Sequence, residues 1–575
     1  MSIIHLSVTG QITAASKRLS AREKLWLVVC LTVFLTSIAG LVWQASTSAL
    51  IELPAAGGEL KEGVIGTPRF INPLLASSNP DRDLTALIYS GLVRPGPHGE
   101  FLPDLAERYT VSEDNRQYTF FLRPSLVWHD GEPVTADDVV FTVNRIKDPS
   151  LKSPRRAAWE GVEVKRVNER EVILTLKQPY GSFLSNATLG LLPAHLWKEV
   201  TAETFPFSNL NVEPIGTGPY RVKDIKRDRN NLPLAYELVA FQSFALGQPK
   251  IGRLFLNFYS NEEARLAAWR RGEVTNVNAV SPELIEDLLT GSKNKHTLYT
   301  ASLPRVFAVF FNQNQAKIFA QSEVREALNL LVDRQIIIDQ VLAGYGRPTD
   351  GPIPTMSQAL KNESASTTPT DQAAAGLVKY SWKKNTDSGL WEQTVKKETK
   401  ILSFTLSTAD APELKAAAEL LKSVWEKFGA RVEVKIFEAG ALNQNVIRPR
   451  EYEALLFGEI IGREPDLYSF WHSSQRLDPG LNIALYTNVA VDKMLEELRS
   501  NSPIATATDK LAEVAAAIVK DMPAIFLYTP DFLYLLPRTA RGIALNSINA
   551  PADRFLDIYQ WYLATEKVWS VFNRF

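Results

Sequence analysis

Apolar and polar positions along this chain follow a helical or a strand period almost everywhere, with one long exception. Residues Leu25–Trp43 run for 19 positions without a charge. At ~1.5 Å per residue a helix of that length is roughly 28 Å long, about the hydrocarbon thickness of a bilayer. Trp26 and Trp43 stand at its two ends, where interfacial indoles belong. Lys17, Arg18, Arg22 and Lys24 precede it and no base follows closely. The positive-inside rule then leaves residues 1–24 in the cytoplasm, spans the bilayer with 25–43 and puts the remainder outside. A cleaved signal sequence is the competing reading, with small residues at Ala45–Ala49 as its site. A lipoprotein is disfavoured because bulky Val29 precedes Cys30, which reads as a lipid-facing side chain.

Beyond a small-residue linker at 44–58, helix and strand signals alternate. Thr135 is placed to cap a helix with Asp137 and Asp138 in its first turn and Val139, Val140, Val143 and Ile146 behind them. Strands are expected at Tyr118–Leu122, Val162–Val167 and Glu171–Leu176. Asn261 opens a short helix closed by Gly272, and Glu323–Ala343 reads as one longer helix ended by Gly344. Leu414, Ala417, Leu421, Val424, Trp425 and Phe428 share a helix face that Gly429 stops, and Arg431–Ile436 alternates as a strand. Repeated units of this kind predict an α/β protein. Residues 357–373, rich in Ser, Thr, Ala and Gln, read as a surface loop.

Composition narrows the function. About 515 residues follow the linker, enough for two or three domains. A net charge of -1 gives no electrostatic case for nucleic acid. The single cysteine lies in the apolar segment, so no disulfide or thiolate chemistry is expected outside. The 6 histidines lack metal-ligand spacing, and there is no Gly-x-Ser-x-Gly elbow or phosphate loop. No cofactor and no catalysis are expected.

Nine segments in register resemble one family. They are Phe70–Leu74, Leu87–Val93, Pro103–Tyr109, Trp128–Phe141, Gly216–Tyr220, Arg265–Val274, Val324–Asn329, Glu464–Ser474 and Asn482–Asp492. Together they are similar to the peptide/nickel-type extracellular solute-binding proteins, family 5, of ATP-binding-cassette importers. The resemblance implies a two-lobed periplasmic-binding-protein-like α/β fold, type II, in its large three-subdomain form. One lobe would comprise 59–300 plus 530–575, with a subdomain at about 79–197, and the other 301–529. Val306–Asn312 and Ala524–Tyr528 would belong to two strands crossing at the hinge. The implied partners are a peptide or peptide-like solute, an ABC permease, and the bilayer through residues 25–43.

Relatives that grip a peptide's α-ammonium place an Asp a few residues before an Asp-Pro-Asp motif. Here Glu464–Asp466 stands on that motif and the Asp position falls near Ile461. Glu459 or Glu464 could substitute only with a shifted backbone, whereas Arg463 would repel an ammonium and attract a carboxylate. Phe70 and Tyr89 lie in segments that line the cleft in relatives, though aromatics there also serve as core. Asn312 and Gln313 either present amides to a ligand or cap a strand end. Trp128, His129 and the Gly216–Tyr220 motif read as fold signatures. A sensor or chaperone-like peptide receptor is the alternative function, with a nickel or haem receptor and a hydrolase behind it.

Overall fold

The computed structural model describes residues 20–48, 50–97, 99–179, 183–292, 295–354, 368–396, 398–462, 466–501, 504–545 and 548–569. Contacts divide the chain into two units, 1–57 with 562–575 and 58–561. In the first unit a helix covers Ala21–Ser48, and its stretch Ala21–Leu41 has a mean hydropathy of 2.0. Leu25, Trp26, Phe34, Leu35 and Trp43 are all exposed, and the helix is long and apolar enough to cross a membrane. The Thr32 and Thr36 hydroxyls donate to the Val28 and Thr32 carbonyls, so neither stands bare on that surface.

Residues 44–58 are not a featureless linker. The helix runs to Ser48, and Leu50–Ala55 pairs antiparallel with Ala564–Trp569. A strand whose partner lies at the opposite end of the sequence leaves little local trace. Contacts group 562–575 with this unit, whereas the expected first lobe included 530–575.

The second unit is organised by a 12-stranded sheet. On one side of its centre lie Arg431–Phe437, Ser403–Ala409, Ala454–Ile460 and Arg305–Phe311. On the other lie Asn276–Asn278, Glu59–Ile65, Arg253–Tyr259, Pro233–Ala240 and Tyr220–Arg227. The long strand Ala524–Pro537 joins them. Its first half pairs with Phe307–Phe310, and its second half pairs with His296–Ser302 and with Val277 and Asn278. Leu303 and Pro304 interrupt the facing segment between its two strands. Two antiparallel segments, 296–311 and 524–537, therefore run side by side through both halves.

One large apolar core packs the first half, from Val306 through Trp425 and Trp471 to Tyr528. A smaller one lies under Leu266, Trp269, Ile285 and Leu535. A separate four-stranded antiparallel sheet holds Ala106–Val111, Gln117–Leu122, Glu171–Leu176 and Val162–Asn168. The helix Ala136–Lys147 lies in sequence between its strands Gln117–Leu122 and Val162–Asn168, with Thr135 and Asp138 forming the capping box.

Two elements differ from their sequence reading. Glu323–Ala343 is two helices, Ser322–Leu330 and Arg334–Val341. The Asp333 carboxylate accepts the Gln335 and Ile336 amides and restarts the helix, which an apolar stripe alone does not reveal. The expected loop at 357–373 ends inside a helix, Pro369–Lys379, capped by Thr368, and 357–367 lie outside the described residues. Gly429 does terminate Pro412–Phe428: its φ is 116°, and a Cβ there would lie 2.5 Å from the Gly389 carbonyl oxygen.

Candidate functional site

The helix Asn79–Ile88 builds the wall of a recess. Ser78 and Asp81 form its capping box, with Pro80 in the first turn. Asp81 Oδ1 also accepts the Arg69 and Phe70 amides at 2.7 and 2.8 Å, tying the preceding chain to the helix start. Leu84, Leu87 and Ile88 are buried in the core. Arg82, Thr85, Ala86 and Tyr89 recur at i, i+3, i+4 and i+7 and line the recess, whose volume is about 210 Å³.

Two sequence motifs hold that helix in place. Gly216 and Gly218 press against its last turn: a Cβ on Gly216 would collide with the Ile88 carbonyl oxygen, and one on Gly218 would lie 2.5 Å from the Ile88 carbonyl carbon. The Gly218 amide donates to the Ile88 carbonyl at 2.7 Å. His129 accepts the Gly216 amide at Nδ1, which leaves Nε2–H to donate to the Gly218 carbonyl at 3.0 Å. Burial pushes the imidazole pKa down to about 4, so it stays neutral in this clamp.

The recess carries polar groups with work left to do. Tyr89 Oη, Thr85 Oγ1, Arg94 Nε and Asp104 Oδ1 are buried without a hydrogen-bond partner. Burial raises the Asp104 carboxyl to about 7, against the pull of Arg94 and Arg123. Arg155 is reachable from solvent, yet the protein around it lowers its guanidinium pKa, and Arg82 lowers it further while Asp553 opposes both. Gly190 leaves room for Tyr89, since a Cβ there would sit 2.7 Å from the Tyr89 Cβ.

A second and larger space, about 1180 Å³, opens between segments 157–179 and 466–499. Glu160 and Lys177 line one wall, and Asp466, Tyr468 and Arg499 line the other. The Tyr468 ring stacks on His472 at 4.1 Å and lies 4.5 Å from the Arg499 guanidinium. Arg499 also approaches Asp466 at 3.7 Å.

The residues singled out in the sequence distribute unevenly. Tyr89 lines the recess. Phe70 is half-buried beside it in sequence but lines none of the spaces described above. Asn312 is buried, and its side chain is spent locally: Nδ2 donates to the Arg450 carbonyl and Oδ1 accepts the Asn314 and Gln315 amides. Gln313 is half-buried. Glu459 is buried with Oε1 unpartnered, and burial pushes its carboxyl well above the usual range. Ile461 belongs to the core of the first half. Arg463 and Glu464 lie outside the described residues. Sequence reasoning missed Arg82, Thr85, Asp104 and Arg155. The stripe from Arg82 to Tyr89 was visible as a helix face behind Ser78, whereas nothing local marks Arg155.

Comparisons with known proteins agree with this architecture. Residues 100–477 match the family described as bacterial extracellular solute-binding proteins, family 5 Middle. The oligopeptide-binding protein AppA of Bacillus subtilis (strain 168) is 25% identical over 568 residues, 95% of this chain and 99% of its own. The structure of AppA from Bacillus subtilis in complex with a nonapeptide has a TM-score of 0.68 at 25% identity, covering 89% of this chain and 100% of that one. NikZ from Campylobacter jejuni in complex with Ni(L-His) has a TM-score of 0.69 at 25% identity, covering 88% and 99%. One architecture thus receives solutes as different as a nonapeptide and a nickel–histidine complex.

Proposed function

Because the chain belongs to the bacterial extracellular solute-binding proteins of family 5, we propose that it captures a peptide or peptide-like solute outside the membrane and hands it to the permease of an ABC importer. The observation that carries the reading is the pair of segments 296–311 and 524–537. They run side by side through both halves of the sheet, which supports a hinge between lobes. The lobes in this reading are 59–300 with 530–561, including the subdomain at about 79–197, and 301–529. The recess under Asn79–Ile88 belongs to the first lobe, and the space bordered by Tyr468 and Lys177 is the cleft entrance. The solute is held by groups on both sides as the hinge closes.

The helix over 25–43 stays uncleaved in this reading and keeps the receptor near its permease, raising the effective concentration there. Residues 1–24 are cytoplasmic. Mass analysis of the membrane-bound protein then recovers peptides N-terminal to Leu25, and a mature N-terminus near Thr47 or Leu50 contradicts retention. The solute needs no free α-amino group. Ile461 stands in the core where the family resemblance puts an Asp, and Glu459 is pushed toward its neutral form by burial.

The hinge is tested on the full chain in a lipid nanodisc. With Cys30→Ser in the background, fluorophores at Glu160→Cys and Glu497→Cys report the distance across the cleft. A mixed pool of short peptides is expected to shorten it. Peptide retention with no change in that distance rules out a closing cleft.

A further inference from the structure

We propose that the recess under the helix Asn79–Ile88 receives an anionic oxygen group of the solute, a carboxylate or phosphate, between Arg82 and Arg155. The inference deepens the solute-receptor reading by assigning one end of the solute. Arg82 and Arg155 are both exposed and line the same space, and the like charge of Arg82 lowers the Arg155 guanidinium pKa. Among the described residues neither makes a side-chain hydrogen bond or an ion pair. Like charges that share a concave, solvent-open site repel one another weakly through water, and an anion between them replaces that repulsion with attraction.

The other groups facing the recess support an oxyanion. Asp553, the carboxylate that attracts Arg155, already accepts the Asn549 and Ala550 amides. Asp104 is pushed toward its neutral form, and Arg94, the third guanidinium, is paired with Asp557 at 2.9 Å. Tyr89 is 5% exposed, and its hydroxyl, like that of Thr85, is buried with no acceptor. A carboxylate or phosphate offers several acceptors in the planar, forked geometry that arginine favours, and a hydroxyl that turns toward it gains the acceptor it lacks. Arg82 and Thr85 stand on one face of a helix capped at its start and clamped at its end, and Tyr89 is its C-cap, so the backbone that carries these donors is fixed before a ligand arrives.

The test uses the full chain in nanodiscs and two probes. The first is a pool of short peptides presented as free acids and as C-terminal amides, with acidic side chains excluded. The wild type is expected to retain the acids about ten- to a hundredfold over the amides, the range of a charge-assisted pair. Arg82→Gln with Arg155→Gln should abolish that preference while still retaining amides, which shows that the variant is folded and its cleft works. Equal retention of acids and amides by the wild type overturns the anion inference and leaves the peptide reading standing. The second probe is inorganic phosphate against chloride at matched ionic strength, read as a thermal shift. If no peptide is retained but phosphate stabilises the wild type and not the double variant, the peptide reading fails and the anion site stands. If phosphate stabilises both equally and no acid is preferred, the anion site is refuted.

Discussion

Two arginine clusters in the second unit make opposite use of the same chemistry. Arg554 is fully buried and donates both Nη atoms to Asp83 at 2.7 Å, with Nη2 also reaching Glu62 at 3.1 Å. Glu62 in turn accepts from Tyr534 on the long strand and from Asn276 and Asn278. Arg155, in the recess, has a neighbouring arginine and unpartnered hydroxyls instead. The paired cluster ties strands together and leaves its carboxylates nothing to offer a ligand. The arginines of the unpaired one are exposed and make no side-chain hydrogen bond or ion pair among the described residues. Where donors are left without acceptors inside a concave site, the missing partner is sought outside the chain.

The largest expected effect breaks the satisfied cluster. Arg554→Met leaves Asp83 and Glu62 buried together without a cation, and it should cost roughly 3–5 kcal/mol in denaturant unfolding. A loss under about 1 kcal/mol would mean that the network is not what joins these strands.

The next effect is a pH dependence. Asp104 has a folded pKa of about 7 against an ordinary 3.8. Its raised value means that the folded state holds a proton that the unfolded state has released. Stability therefore falls as pH rises from about 4 to about 7 and levels off above that, by at most roughly 4 kcal/mol. Asp104→Asn removes this dependence, so its thermal midpoint should gain on the wild type across that window. Parallel curves for the two proteins would show that Asp104 titrates normally.

The smallest effect sharpens the contrast. Arg155→Gln removes an exposed charge that makes no ion pair among the described residues, so unfolding stability should stay within about 0.5 kcal/mol of the wild type or rise slightly. A loss as large as that of Arg554→Met would make Arg155 a structural residue.

Much of this fold was written locally. The capping pair Thr135 and Asp138, the glycine stop at Gly429 and the apolar span at 25–43 each depend on neighbours within a few residues. What escaped was set by distant partners. The strand Leu50–Ala55 exists because Ala564–Trp569 pairs with it. Asn312 could face a ligand or a backbone, and the Arg450 carbonyl across the fold takes it. The recess was half legible: Tyr89 stood in a recognisable segment, and Arg82 and Thr85 share its helix face. Arg155 sits just before the short turn Arg156–Trp159, and only tertiary packing carries it to that helix.

The most direct test is to identify the small molecules that leave native membranes with the full-length protein. Mass spectrometry of solutes released from the purified wild type should recover peptide-like compounds bearing a carboxylate or phosphate. The same preparation of the Arg82→Gln, Arg155→Gln double variant should recover them at a tenth or less of that level, roughly the loss of one charge-assisted contact. Recovery of the same solutes in equal amounts from both proteins, or of cationic solutes without an acidic group, would contradict the account.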